Sequence, residues 1–223
     1  MTSQTATSAA QYGDACADFY DRIYPLPAAA MLHYLKVLAA DGSACELGIG
    51  TGRTAAALAR LGVRICGIES SPAMRAVMRA RLGEQVPVIA GDFSVDPLGG
   101  PHRLIFSLVD TLSLLPTRDA QQRCLHQVAA HLEPGGQFVH HGCGNAFQDH
   151  DTPHSTRHRI VVDGELRDYP VMLLDLSPSR LDTMAAAAGL VRTHRCGDWV
   201  GTPWRPGSSD TVSVYRKMAA TTD

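Results

Sequence analysis

Residues 45 to 54, Cys-Glu-Leu-Gly-Ile-Gly-Thr-Gly-Arg-Thr, place glycines at 48, 50 and 52 where an apolar run passes into an alanine-rich one. A strand that turns at once into a helix commits the chain to a βα unit. Glycines at that junction let the backbone approach a ligand closely, and the free N–H groups of the helix start face an anion. A nucleotide pyrophosphate or an amino-acid carboxylate satisfies such a turn equally well. The dinucleotide-binding turn needs its third glycine at position 53, and this chain has Arg53 there. The spacing is GxGxG.

Two further strand ends sharpen the choice. Val63-Arg-Ile-Cys-Gly-Ile-Glu69 reads as a second buried strand that ends in an acid, and Val86-Pro-Val-Ile-Ala-Gly-Asp92 as a third that ends in a carboxylate followed by Phe93. With Glu46-Leu-Gly-Ile-Gly-Thr-Gly52, these segments resemble the class I S-adenosylmethionine-dependent methyltransferases. The resemblance implies an α/β fold, a Rossmann-like seven-stranded sheet with an N-terminal helical lid and an inserted β-hairpin after strand five. It also implies S-adenosyl-L-methionine as cofactor. Gly48, Gly50 and Gly52 would bring backbone up to its methionine part, Glu46 would hold the ammonium, and the helix start at Arg53 and Thr54 would face the carboxylate. Glu69 would take the ribose with Ser70 beside it, Asp92 the adenine amino group, and the Phe93 N–H the ring. Met74 would pack on the adenine face or, equally, between helix and sheet. Tyr12 and Tyr20, with Tyr24, would cover the cofactor or anchor their helix to the core.

The rest of the chain alternates in the same way. Residues 1–10 are small and polar and are expected to be disordered; helices over 12–24 and 28–40, within a lid of 11–42, precede the first strand. Strands are expected at 43–49, 63–69, 86–92, 102–109 and 137–143, and helices from Thr54, over 71–82 and over 117–132, which argues for a parallel sheet covered on both faces. Glu133-Pro-Gly-Gly136 ends the last of these helices. Residues 144–176 form an insertion, polar and histidine-rich at first and then alternating around Asp163-Gly164 from 159 to 175, which signals a β-hairpin. A helix over 177–188 and strands near 191–200 and 210–217 complete one methyltransferase domain spanning 1–223. The hairpin and the aromatic N-terminal segment resemble small bacterial N-methyltransferases acting on amino sugars in natural-product pathways. There such strands help build a subunit interface, so a homodimer is an expectation.

Groups that could act on an acceptor come from the ends of strands four and five. Asp110 ends strand four, and His140 and His141 are neighbours on strand five, where adjacent side chains point to opposite faces. Only one can face a pocket, and His141 is nearer the open end; both could instead be wall or core groups. Many relatives carry an Asp near the start of strand four, where this chain has His102-Arg103. The histidines at 140, 141, 150, 154 and 158, with Asp149 and Asp151, fit no familiar zinc or iron spacing, so a solvated loop and no metal are expected.

Composition narrows the partners. The 223 residues carry a net charge of −2 with Lys and Arg scattered, which disfavours a nucleic-acid duplex and leaves a small-molecule substrate. No apolar run is long enough to span a bilayer, and Met1-Thr-Ser-Gln-Thr lacks the regions of a signal peptide, so a cytoplasmic protein with no membrane partner is expected. The six cysteines show no CxxC pairing and are expected to be buried reduced thiols. Methyl transfer to an amine or hydroxyl of a specialised metabolite is the expected activity. An aminopropyl transferase of the same fold would carry paired acids at the end of strand four, where Ser107-Leu-Val-Asp-Thr has one. A cofactor-binding or regulatory subunit without chemistry remains a third alternative.

Overall fold

A computed structural model describes residues 9–24, 26–143 and 152–218. Its centre is a seven-stranded sheet with β1 (Ser43–Leu47), β2 (Arg64–Glu69), β3 (Val88–Ala90), β4 (His102–Ser107), β5 (Leu132–Cys143), β8 (Leu190–Cys196) and β9 (Asp210–Lys217), in the order β3-β2-β1-β4-β5-β9-β8. The first five run parallel and β9 is antiparallel to both its neighbours. The strand order reverses between β1 and β4. Loops leaving those two strands diverge to opposite faces of the sheet, so a crevice opens at their C-terminal ends.

Alternation along the buried strands builds two cores. Cys45, Leu47, Ile68, Ile105 and Phe138 face α6 (Arg118–His131) and α7 (Pro178–Ala187). Ala44, Ile65, Leu104, Phe106 and Val139 face α3 (Ala29–Ala39), α4 (Arg53–Arg60) and α5 (Pro72–Leu82). The helix starts are written locally. Ser71, Thr117 and Ser177 each accept a backbone N–H from three residues on, at 3.1, 3.1 and 3.2 Å, with Pro72 and Pro178 in the first turn of their helices.

A third cluster lies over the crevice. The hairpin β6 (His154–Val162) and β7 (Glu165–Leu173) is a separate two-stranded sheet, and it packs Val162, Tyr169 and Val171 against Cys16, Ala17, Phe19 and Met74. Its turn, Asp163-Gly164, has both φ angles positive, 52° and 82°, as a two-residue hairpin requires.

Several boundaries differ from expectation. The expected helix over 12–24 is two pieces, α1 (Ala9–Cys16) and α2 (Tyr20–Ile23), because the chain breaks to turn Phe19 into the third cluster; helix also begins at Ala9, ahead of Gln11. β4 stops at Ser107 because Val109 and Asp110 take left-handed φ of 51° and 55°. β5 starts at Leu132, drawing the Glu133–Gly136 turn into the ladder through a register shift opposite His102 and Leu104. β6 starts at 154, so His154 and His158 lie on a strand where a solvated loop was expected; residues 144–151, with His150, Asp149 and Asp151, lie outside the described residues.

Gly52 shows why the turn needs glycine. It has φ 73°, and a Cβ there would stand 2.8 Å from Met78 Cγ and 3.1 Å from Leu82 Cδ1, jamming α4 against α5. Gly52→Ala is expected to lower stability by about 1–3 kcal/mol, from strained backbone and the displaced methionine, read as a drop in thermal midpoint of the ligand-free protein.

Candidate active site

The crevice holds a cavity of about 600 Å³, walled by the glycine turn, the ends of β4 and β5, the N-terminal helices, the hairpin and Trp199. A smaller cavity of about 50 Å³ shares Tyr12, Tyr20, Gly48, Gly50, Thr111 and Leu114 with it and adds Glu69, Ser70, Met74 and Phe93. Most residues singled out from the sequence therefore meet. Glu46, Asp110 and His141 line the larger space. Three do not line either one. Gly52 is buried in helix packing, Asp92 is exposed with its Oδ1 accepting the Ser94 N–H at 2.8 Å, and His140 points to the other face of β5.

Glu69 joins two strand ends. Its Oε2 accepts the Gly50 N–H at 2.9 Å and its Oε1 the Ser71 N–H at 2.8 Å, so one carboxylate ties the β1–α4 turn to the β2–α5 turn. Burial pushes its pKa above the usual carboxylate range, and the two N–H donors act against the rise. Arg75 donates to the carbonyls of Glu69 and Ser70 at 2.7 and 2.9 Å, closing the same corner.

Glu46 stands differently. Its side chain is buried at the end of β1, and among the described residues Oε2 has no hydrogen-bond partner. Burial raises its pKa to about 8; nearby Arg53 acts against the rise and Glu69 adds to it. A buried acceptor without a donor costs free energy until a ligand supplies one. Arg53 lies over the rings of Tyr20 and Tyr24, 5.2 and 5.4 Å from their centroids. Burial raises the pKa of the Tyr12 and Tyr20 phenols, so both stay protonated at neutral pH.

Alternation on β5 separates the two histidines. His140 is buried, with Nδ1 2.8 Å from Ser107 Oγ, and desolvation, aided by His141 and Arg195, lowers its pKa to about 3. It is a neutral core group. His141 faces the cavity, yet both ring nitrogens are engaged: Nδ1 accepts the Val109 N–H at 3.3 Å, and Nε2 pairs with Asp210 Oδ1 at 3.0 Å. Its ring packs at a tilt against Trp199, 5.1 Å between centroids and 58° between planes. The left-handed turn at Val109 and Asp110 serves this arrangement, since the Asp110 N–H also donates to the His141 carbonyl at 3.0 Å.

Sequence reasoning missed the groups that clasp the N-terminal helices. Asp14 accepts from Ser71 Oγ at 2.5 Å and the Ala73 N–H at 3.1 Å, and Asp21 accepts from Thr51 Oγ1 at 2.6 Å and pairs with Arg81. It also missed Asp210, as the partner of His141, and His158, which lines the cavity from the hairpin. These pairs are separated by 30 to 69 residues in the chain and leave no local signal.

Residues 44–136 match the family described as a methyltransferase domain. The structure of the CcbJ methyltransferase from Streptomyces caelestis superposes with a TM-score of 0.82 and 32% identity, covering 96% of this chain and 100% of that one. A methyltransferase of Geobacillus thermodenitrificans is 29% identical over 67% of this chain and 66% of its own length. The dTDP-4-amino-2,3,4,6-tetradeoxy-D-glucose N,N-dimethyltransferase of Saccharopolyspora spinosa is 33% identical over 44% of this chain and 39% of its own. The chain thus spans less than two thirds of the length of such curated relatives. A full-length match to CcbJ, the strand order with its antiparallel β9, and the glycine turn between two strand-end acids agree: the chain belongs to the class I S-adenosylmethionine-dependent methyltransferases.

Proposed function

We propose that the protein transfers a methyl group from S-adenosylmethionine to an amine nitrogen of a small natural product. The residues present fit that cofactor. Glu46 Oε2, unpartnered among the described residues, is an acceptor open to a cation in a wall where it stands beside the glycine turn and the aromatic rings of Tyr12, Tyr20 and Tyr24. A Cβ at Gly50 would enter open space, with only the Gly48 carbonyl within 4 Å, so the glycine leaves that room to a ligand. Glu46 would hold the ammonium, Arg53 and the α4 start the carboxylate, and Glu69 the ribose through lone pairs that Gly50 and Ser71 leave free. Met74 and Phe93 would enclose the adenine, with Asp92 at its rim. When bound, the cofactor supplies an electrophilic methyl whose leaving group is a neutral thioether.

The protein then has to position an acceptor and exclude water, which together account for up to about 10 kcal/mol of barrier lowering. Tyr12, Tyr20 and Tyr24 with the hairpin form the roof, and their rings favour positive charge beneath them. The observation that carries the choice of an amine is the engagement of His141 at both nitrogens. A hydroxyl must lose its proton to a base as it attacks, whereas an amine needs only to arrive neutral. Asp110 is placed to draw an ammonium into the cavity before it gives up its proton to solvent. The amino-sugar activity named for the Saccharopolyspora relative supports the same acceptor class.

Three outcomes test this account. His141→Gln should keep kcat within about tenfold of wild type, since a wall residue is lost; a fall of about 10²–10⁴ would make it the base. Amine-bearing acceptors should gain one methyl mass while their hydroxyl counterparts stay unmodified. Glu46 links binding and stability to pH. In the ligand-free fold it keeps a proton between about pH 4.5 and about 8 that the unfolded chain releases. Its stabilising contribution is therefore complete below 4.5 and lost as pH rises to 8. Glu46→Gln should make the ligand-free protein more stable than wild type at pH 8, by on the order of 3 kcal/mol, with the margin closing toward pH 5. The same variant should bind S-adenosylmethionine more weakly and abolish the proton release that calorimetry in buffers of different ionisation enthalpy detects for wild type.

A further inference from the structure

The start of the sheet carries a cluster that methyl transfer does not use. Cys45 on β1 and Cys66 on β2 are register partners, and His102 opens β4 on the other side of β1. Cys45 Sγ, Cys66 Sγ and His102 Nε2 all lie within 4.8 Å of one another, with Nε2 4.0 Å from Cys66 Sγ. We propose that these three side chains form a binding site for one zinc-class cation, with two thiolates and one imidazole as ligands.

The donor set suits that ion. Two sulfurs and an imidazole select a d¹⁰ metal over magnesium or calcium, and two thiolates with neutral histidine cancel a divalent charge, which a buried site requires. Tetrahedral zinc places its ligand atoms roughly 3.5–3.8 Å apart, so the ligand atoms need to close by up to about 1 Å. The Leu98 carbonyl, 3.0 Å from Nε2 and 3.9 Å from Cys45 Sγ, stands at the fourth position.

Outer contacts orient the histidine as a ligand. Its Nδ1 lies 3.1 Å from Ser43 Oγ, whose hydroxyl donates to the Pro101 carbonyl at 3.3 Å. The Leu98 carbonyl can only accept, so in the metal-free site Nε2–H donates to it; on binding the ring proton moves to Nδ1, where Ser43 Oγ accepts it while its own hydroxyl donates to Pro101, and the Nε2 lone pair turns to the metal. Cys66 is partly exposed and borders a cleft of about 480 Å³, which gives an ion a way in. Binding forms two metal–sulfur bonds and one metal–nitrogen bond, and the two thiol protons leave to solvent.

The test is titration of the reduced, chelator-treated full chain with cobalt(II), then with zinc(II). One equivalent of cobalt should produce a thiolate-to-cobalt charge-transfer band with tetrahedral visible bands, and zinc should displace it. Cys66→Ser and His102→Gln should each weaken binding at least tenfold while S-adenosylmethionine affinity and far-ultraviolet dichroism stay unchanged. The proposal is overturned if wild type gives no saturable band, or if the band survives Cys66→Ser. Should a variant fail to fold, alkylation of wild type decides: zinc must protect Cys66, and protection of other cysteines alone rejects the site.

Discussion

One buried carboxylate ties the active end of the sheet together. Glu69 leaves β2 with both oxygens accepting backbone N–H groups, one from the turn after β1 and one from its own. A carboxylate taken out of water is costly, and two charge-assisted bonds from fixed amides offset much of that cost. Both turns are thereby held at one spacing, and the cavities that share Gly50 inherit their shape from it. Ser71, which donates its N–H to Glu69, also caps α5 and reaches Asp14 on α1. The contact therefore runs from the sheet through a helix start into the roof.

The roof is held by polar clasps at its base and an apolar cluster at its top. Asp14 and Asp21 fasten α1 and α2 to α5 and the glycine turn, while Phe19, Tyr169 and Val171 pack the hairpin over them. Arg22 pairs with Asp163 at the hairpin turn, so the two covering segments touch at both ends. Neither covers an apolar face of its own without the other. A short helix pair and a two-stranded hairpin are each marginal alone, and their mutual burial over the crevice is what orders them.

Much of this was legible along the chain. The βα alternation, the glycine turn, the strand-end acids and the Asp163-Gly164 hairpin turn are local patterns in which side-chain period and backbone sign are written in consecutive residues. Strand alternation allowed only one of His140 and His141 to face a pocket and nearness to the open end pointed to His141, on whose side the cavity lies. The break at Phe19 was not legible, because helical spacing of aromatic residues reads the same whether one helix or two present them. Nor was the end of β4 at Ser107. The left-handed turn at Val109 and Asp110 is imposed by bonds to β5, against the preference of a β-branched residue.

Sequence by itself determined the order of strands and helices, the place of the glycine turn and the acids that border it, because each depends on neighbours within a turn or a strand. Tertiary structure alone decided what those groups can do. It engaged both nitrogens of His141 with residues far along the chain, left Glu46 Oε2 without a donor among the described residues, and brought Cys45, Cys66 and His102 together from three strands. Protonation, free lone pairs and ligand sets depend on distances across the sheet, and those exist only once parallel strands have paired.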